Sequence, residues 1–180
     1  GGAVVRGVIR PEEKFRISSY SGLRTYSPTF VVKGTNIAFR GRGIVDGSRC
    51  TTHARNLLSV QGRDIRLEGV ILRDSSTWTI PIRQSDRVRV DNVKLLGYRA
   101  NSDGIDICNS RDVTIRDSFI RSFDDSIVVK GLVTHKDLPV RNVVAERCVI
   151  WNDWGRALEI GAETCAPEIT GLTFRDCDII

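Results

Sequence analysis

Six segments of this 180-residue chain repeat one pattern: NIAFRGRGIVDG, DIRLEGVILRDS, RVRVDNVKLLGY, DVTIRDSFIRSF, NVVAERCVIWND and GLTFRDCDII. Their first apolar residues are Ile37, Ile65, Val88, Val113, Val143 and Leu172, which recur at steps of 23 to 30 residues. Within a unit the apolar residues alternate with period two, as in Val88 and Val90 and then Val93 and Leu95, and two polar or small residues mark a kink between the halves. A second alternating strand follows a loop in five consecutive units: Leu58/Val60, Ile80/Ile82, Ile105/Ile107, Ile127/Val129 and Leu158/Ile160. Strands this short, with no helical stretch long enough for a crossover, can pair in parallel only if the chain coils about one axis. The expected fold is all-β, a parallel β-helix of about six turns, one for each repeat, right-handed because parallel crossovers overwhelmingly take that sense.

Residues 1–35, with Pro11, Pro28 and the run SSYSGLRTYS, read as an irregular N-terminal segment or partial first turn, and residues 36–180 as the β-helix domain. The chain stops on CDII in mid-strand, so further turns or a cap are expected beyond Ile180. Like residues should stack in ladders, as Val70, Val93, Ser118, Cys148 and Cys177 do, which makes the last two small apolar fillers. Asn92 and Asn142 are expected to serve the backbone at bends.

Composition narrows the function. No run of about 18 apolar residues offers a membrane span, and GGAVVRG lacks the order of a signal peptide. Five scattered cysteines without CxxC spacing make neither a disulfide framework nor a zinc site. The net charge is +5, and 22 of the 27 cations are arginine; an acidic ligand would suit them. The arginines nonetheless alternate with aspartates, as in RDIRLEG and RDVTIRD, without a basic block or aromatic-interleaved patch, so nucleic acid is not an expected partner. A monomer without cofactor or metal is expected.

The chemistry concentrates in NSDGIDICNSRDVTIRDSFIRSFDDSIVVK, residues 101–130. Asp103 precedes Ile105 by two residues, and Asp125, with Asp124 beside it, precedes Ile127 by two, so they should occupy one column on successive turns. That column reads Asn56, Trp78, Asp103, Asp125 and Arg156. The outward slot of the strand reads Ser59, Pro81, Asp106, Val128 and Glu159, and the slot after the strand Gln61, Arg83, Cys108, Lys130 and Gly161. One face should gather Asp103, Asp106, Asp124, Asp125 and Glu159 among Arg83, Lys130 and Arg156. Two carboxylates about 5 Å apart at an effective dielectric near 20 repel by roughly 3 kcal/mol, about two pKa units, so one should hold a proton near neutrality. A protonated acid beside an ionised partner is what glycoside hydrolysis requires. Adjacent turns with a one-residue offset give a backbone separation of about 6 Å, bordering the inverting range of about 6.5 to 9.5 Å. Turn-forming or calcium-binding aspartates are the competing readings. Trp78 is either a sugar platform or a rung residue; Trp151 and Trp154 read as loop packing, and His53 and His135 as surface histidines.

Asn101-Ser102-Asp103-Gly104-Ile105-Asp106, followed by Phe123-Asp124-Asp125-Ser126 leading to Lys130, resembles the polygalacturonase family, glycoside hydrolase family 28, over about residues 36–180. The resemblance implies a right-handed parallel β-helix and an inverting hydrolysis without metal, with Asp124 as general acid and Asp103 and Asp125 orienting and deprotonating the water. This chain departs from the family pattern in having Phe123 for glycine, Ser126 for cysteine and Arg156 for histidine. The family's later R-I-K motif would fall beyond Ile180. The expected function is therefore a polygalacturonase-like glycosidase, with Asn101, Lys130, Arg156, Trp78, Glu159 and Asp106 around the substrate. The alternatives are a β-helical α-glucan hydrolase of dextranase or α-1,3-glucanase type, and a non-catalytic carbohydrate-binding β-helix. A polysaccharide or oligosaccharide partner, acidic if uronate-containing, and a secreted or periplasmic location are expected from the resemblance.

Overall fold

A computed structural model of the chain describes residues 28–50 and 55–180, together with the backbone course of residues 4–8. Most of the N-terminal segment 1–35 and His53 lie outside the described residues. After β1 (Val4–Val8), the first rung is β2 (Phe30–Arg40) and β3 (Ile44–Arg49), and the second is β4 (Leu58–Glu68) and β5 (Ile71–Arg73). The third rung is β6 (Ile80–Arg83), β7 (Asp86–Asp91) and β8 (Lys94–Leu96); the fourth is β9 (Ile105–Cys108), β10 (Arg111–Arg116) and β11 (Phe119–Ser122). In the fifth, β12 (Ile127–Gly131), a short 3-10 helix (Val133–His135), β13 (Val140–Glu146) and β14 (Val149–Asn152) follow one another. The last holds β15 (Leu158–Thr164), β16 (Ile169–Arg175) and β17 (Asp178–Ile179).

Every strand pairing is parallel and joins a rung to its neighbour, giving the expected right-handed parallel β-helix. Three faces result. The first carries β6, β9, β12 and β15 with the leading half of β4; the second carries β7, β10, β13 and β16 with the trailing half; the third runs from β1 through β3, β5, β8, β11 and β14 to β17. Six repeats make six rungs but only five returns between them, so the solenoid has about five turns rather than the six expected from counting repeats. The first rung starts at Phe30, because Phe30 and Val32 continue the alternation and pair with Leu58 and Val60.

The alternation places one apolar column per strand slot inside. Ile80, Ile105 and Ile127 stack, as do Ile82, Ile107 and Val129, all fully buried, and Val88, Val113, Leu95 and Ile120 from the other two faces join the same core. Each such side chain contributes about 1.5–3 kcal/mol by leaving water. The bends obey the same register. Asn36, Asp64, Arg87, Asp112 and Asn142 all have φ between 54° and 57°, and Asn92, Asp117, Arg147 and Asp176 between 49° and 53°. Asparagine and aspartate tolerate the left-handed region best among side-chain-bearing residues, which explains their concentration at these two positions per rung. Cys148 and Cys177 are free thiols in adjacent rungs.

Several arginines of the second face pair with carboxylates. Arg87 reaches Asp64 at 2.6 Å, Arg63 and Arg111 reach Asp86 at 2.9 and 3.2 Å, Arg147 reaches Asp117 at 2.8 Å and Arg175 reaches Glu146 at 2.5 Å, each pair bridging neighbouring rungs. Exposed pairs of this kind add little stability individually. Because each joins residues one rung apart, together they favour the observed register over a slipped one.

Candidate active site

The first face carries the acids because its strands are entered through an aspartate on two consecutive rungs, Asp103 before β9 and Asp125 before β12. Gly104 N donates to Asp125 O at 2.8 Å, Thr79 N to Asp103 O at 2.8 Å and Ser126 N to Arg156 O at 2.8 Å, which sets Trp78, Asp103, Asp125 and Arg156 in one column. Asp106 pairs with Pro81 and Val128, and Val128 with Glu159. Two glycines permit the tight approach of these rungs. A Cβ at Gly104 would lie 2.3 Å from Ser126 O, and one at Gly155 would lie 2.6 Å from the Asp124 carbonyl carbon.

Within this column the charged groups separate into two clusters. In the inner one the Lys130 ammonium lies 3.0 Å from Asp103 Oδ2 and 2.9 Å from Asp106 Oδ1; the first contact is a directed hydrogen bond, the second an ion pair off the hydrogen-bond axis. All three side chains are buried. The Trp78 ring covers them, with Lys130 Nζ 3.9 Å from its centroid and the Arg83 guanidinium carbon at 5.4 Å, and packs with Cys108 and Leu132. Burial first, and the adjacent Asp106 carboxylate second, push the Asp103 carboxyl from 3.8 up to about 9. Burial likewise raises Asp106, against the pull of Lys130. Burial also works against the charge of Lys130, but the two carboxylates outweigh it and hold its pKa well above 10.5. One cation between two dry carboxyls leaves room for one proton, which Asp103 and Asp106 share.

The outer cluster is more accessible. Asp124 is half-buried and Asp125 is 8% exposed. Asp124 Oδ1 accepts from Asp125 N at 3.1 Å, and Asp125 Oδ1 accepts from Arg156 N at 3.2 Å, so each carboxylate is aimed by a backbone amide. Burial, then the neighbouring Asp125 charge, raises the Asp124 pKa. Asp125 is pushed up to about 6 by burial and then by the Glu159 carboxyl beside it. The Arg156 side chain is largely in solvent, with its Nε 4.0 Å from Glu159 Oε2. Asn101, in the left-handed region at φ 63°, donates to Thr77 Oγ1 at 3.4 Å at the rim.

The column therefore assembles Asp103, Asp124, Asp125, Arg156 and Glu159, but it turns three expected contact residues inward. Lys130 and Asp106 are committed to the buried cluster, and Trp78 offers no open face because Lys130 lies against its ring and little of it reaches solvent. Expected as loop packing, Trp154 and Trp151 do pack, on Phe123 and under Arg121, yet remain 69% and 41% exposed. The sequence reading also missed Asn152. Its Nδ2 donates to Asp124 O at 2.7 Å and Ser126 Oγ at 3.0 Å, while Ser122 Oγ donates to Asp124 O at 2.7 Å, fixing the backbone behind the acid pair. Nothing in the composition of RCVIWND marks that role, which depends on a loop folding back one rung.

Two other hollows among the described residues do not pair carboxylates in this way. A hollow of about 700 Å³ lined by Arg40, Arg42, Glu68 and Lys94, and another of about 330 Å³ lined by Asp64, Arg66, Arg87 and Arg89, each carry one carboxylate among cations. Acid/base chemistry that needs two carboxyls fits neither. The positive charge between Asp103 and Asp106, where a bound cation could otherwise sit, is supplied by Lys130.

The family model described as glycosyl hydrolases family 28 matches residues 30–180. No curated protein matches the sequence. Three solved chains match, among them the crystal structure of a hyperthermoactive exopolygalacturonase from Thermotoga maritima, which is similar with a TM-score of 0.84 over 98% of this chain at 18% identity. The chain spans about half of that structure, 52% of its length. At that identity the likeness speaks for the fold.

Proposed function

The chain belongs to glycosyl hydrolases family 28, and on that premise we propose that it hydrolyses a uronate-containing polysaccharide or oligosaccharide in the manner of a polygalacturonase, with inversion at the anomeric carbon. Asp124 gives its proton to the glycosidic oxygen as the bond from the anomeric carbon to that oxygen breaks, the bonding electrons leaving with the oxygen. A water on the opposite face attacks the carbon and passes a proton to the Asp125 carboxylate. Asp103, kept protonated by burial and anchored by Lys130, orients that water through a hydrogen bond rather than by removing its proton. Glu159, Arg156 and Asn101 line the substrate side, whereas Lys130, Asp106 and Trp78 act from behind as positioning residues.

The observation that carries this reading is the register of Asp125 over Asp103 across one rung, with Asp124 beside it, all three carboxyls pushed above the ordinary range. General acid or base catalysis contributes about 10²–10⁴ in rate, so Asp124→Asn and Asp125→Asn should each lower hydrolysis of polygalacturonate by that order while oligosaccharide binding persists. Assay of both variants against a panel of pectic, rhamnogalacturonan and α-glucan substrates tests it. Wild type cleaving none of them, or variants as fast as wild type, would sink the proposal. A polymer substrate of this kind is met outside the cytoplasm, so a secreted or periplasmic monomer is part of the reading.

A further inference from the structure

Trp154 is the most exposed of the large apolar side chains described, at 69%, and it stands one loop from the acid pair. Its ring lies nearly parallel to that of Phe123, with centroids 5.7 Å apart and planes inclined by 9°. Phe123 precedes Asp124 in the chain, and Gly155, which follows Trp154, presses against the Asp124 backbone. The two loops are fastened together: Gly155 N donates to Phe123 O at 2.9 Å, Asp153 N donates to Ser122 O at 3.0 Å, and the Asp153 carboxylate accepts from Arg121 Nε at 2.9 Å. Phe123 covers one face of the indole, so its exposure comes from the other face and the edge. Trp151, by contrast, is already covered by the Arg121 guanidinium at 4.8 Å.

We propose that the Trp154 ring, backed by Phe123, is a sugar-binding subsite: it stacks against the apolar C–H face of a pyranose unit adjoining the bond cleaved, on the sixth-rung side of Asp124, while Arg156 meets that unit's carboxylate. The inference deepens the proposed glycosidase reading and rests on it for the direction of the bound chain. A sugar ring has a flat apolar face and a polar rim, which suits an indole with one wet edge and a nearby guanidinium. Because the platform is fixed before ligand arrives, binding spends little on ordering it. The largely solvent-exposed Arg156 side chain keeps most of its hydrogen-bonding capacity for a ligand.

Calorimetric titration of the intact protein with a series of oligogalacturonides from dimer to pentamer, run beside initial-rate measurements, tests this. Trp154→Ala should weaken Kd for the longer members about tenfold, with the kinetic loss falling on KM more than on kcat. Trp154→Phe should recover most of that loss. Arg156→Gln should weaken the acidic series and leave neutral gluco-oligosaccharides unaffected. A Trp154→Ala protein with wild-type melting temperature and wild-type Kd overturns the platform while leaving the hydrolase reading in place, as does a wild type that binds none of the series yet cleaves polymer. Tight binding lost in Trp154→Ala by a wild type that cleaves nothing supports the platform and removes the hydrolase reading instead.

Discussion

Replacing Lys130 by methionine removes the one cation that holds two buried carboxyls, and the consequence should depend on pH in a defined direction. Lys130 Nζ lies 3.0 and 2.9 Å from Asp103 and Asp106, and its side chain is 5% exposed. Each contact has a Coulomb energy of about 5–6 kcal/mol at an effective dielectric of 20, largely offset by desolvation; removing one partner of such a buried set costs about 3–5 kcal/mol. In the wild type the folded state already keeps a proton on Asp103, whose pKa rises from 3.8 to about 9, so its contribution is fully present below 3.8 and is lost as pH climbs toward 9. Without Lys130 the second carboxyl, Asp106, must also be protonated to stay buried. The folded variant then binds one proton more than the folded wild type, and its stability falls more steeply by about 1.4 kcal/mol per pH unit above the unfolded carboxylate pKa. The deficit should be small near pH 4 and, at about 3–5 kcal/mol near neutrality, lower the melting temperature by roughly 6–20 °C. Thermal melts of both proteins across that range measure it. A deficit that is constant with pH, or no deficit at neutrality, would refute the single-cation account of the cluster.

Glu159→Gln should lower the pKa of Asp125, because the Glu159 carboxyl beside it helps raise it to about 6. As Asp125 works ionised, the acidic limb of the kcat/KM profile should move to lower pH in this variant, and an unmoved limb would count against Asp125 as the base. Gly155→Ala should cost about 1–3 kcal/mol by overpacking and depress hydrolysis more than binding, since the new methyl lies 2.6 Å from the Asp124 backbone; denaturant melts and rates measured together check this. Asn152→Ala strips the donor from a partly buried network of two backbone and two hydroxyl oxygens, so a loss of about 1–3 kcal/mol and a lower kcat at similar oligosaccharide affinity are expected.

The fold was readable because a parallel solenoid converts sequence offset directly into spatial neighbours. Once Ile105 is aligned with Ile127, Asp103 must lie beside Asp125, and the backbone bonds agree. The ladder from Val70 to Cys177 followed for the same reason. What the alignment could not supply was the direction a side chain turns after leaving its slot. Asp106 occupies an outward slot yet is fully buried, because Lys130 from the next rung and Trp78 from the previous one close over it. Repulsion between carboxylates was expected on this face without naming the pair, and the carboxylate that most raises Asp103 is Asp106. Of the two readings of Trp78 the buried rung residue holds, and Trp154 keeps much of its surface exposed; burial depends on what crosses a ring, and the stacking of Trp154 on Phe123 comes from loops whose lengths vary between repeats. The left-handed columns were legible where asparagine or aspartate occupies them, as at Asn92 and Asn142, and hidden at Arg87 and Arg147, which adopt the same φ without the residue type that signals it.

Everything turns on an acid on one rung and a water held between that rung and the next acting on opposite faces of a sugar. Proton NMR of a purified oligogalacturonide during its first moments of cleavage reads this directly from the newly released reducing end. The anomer opposite to the bond broken should appear first and only later equilibrate; first appearance of the same anomer would rule out attack from the opposite face.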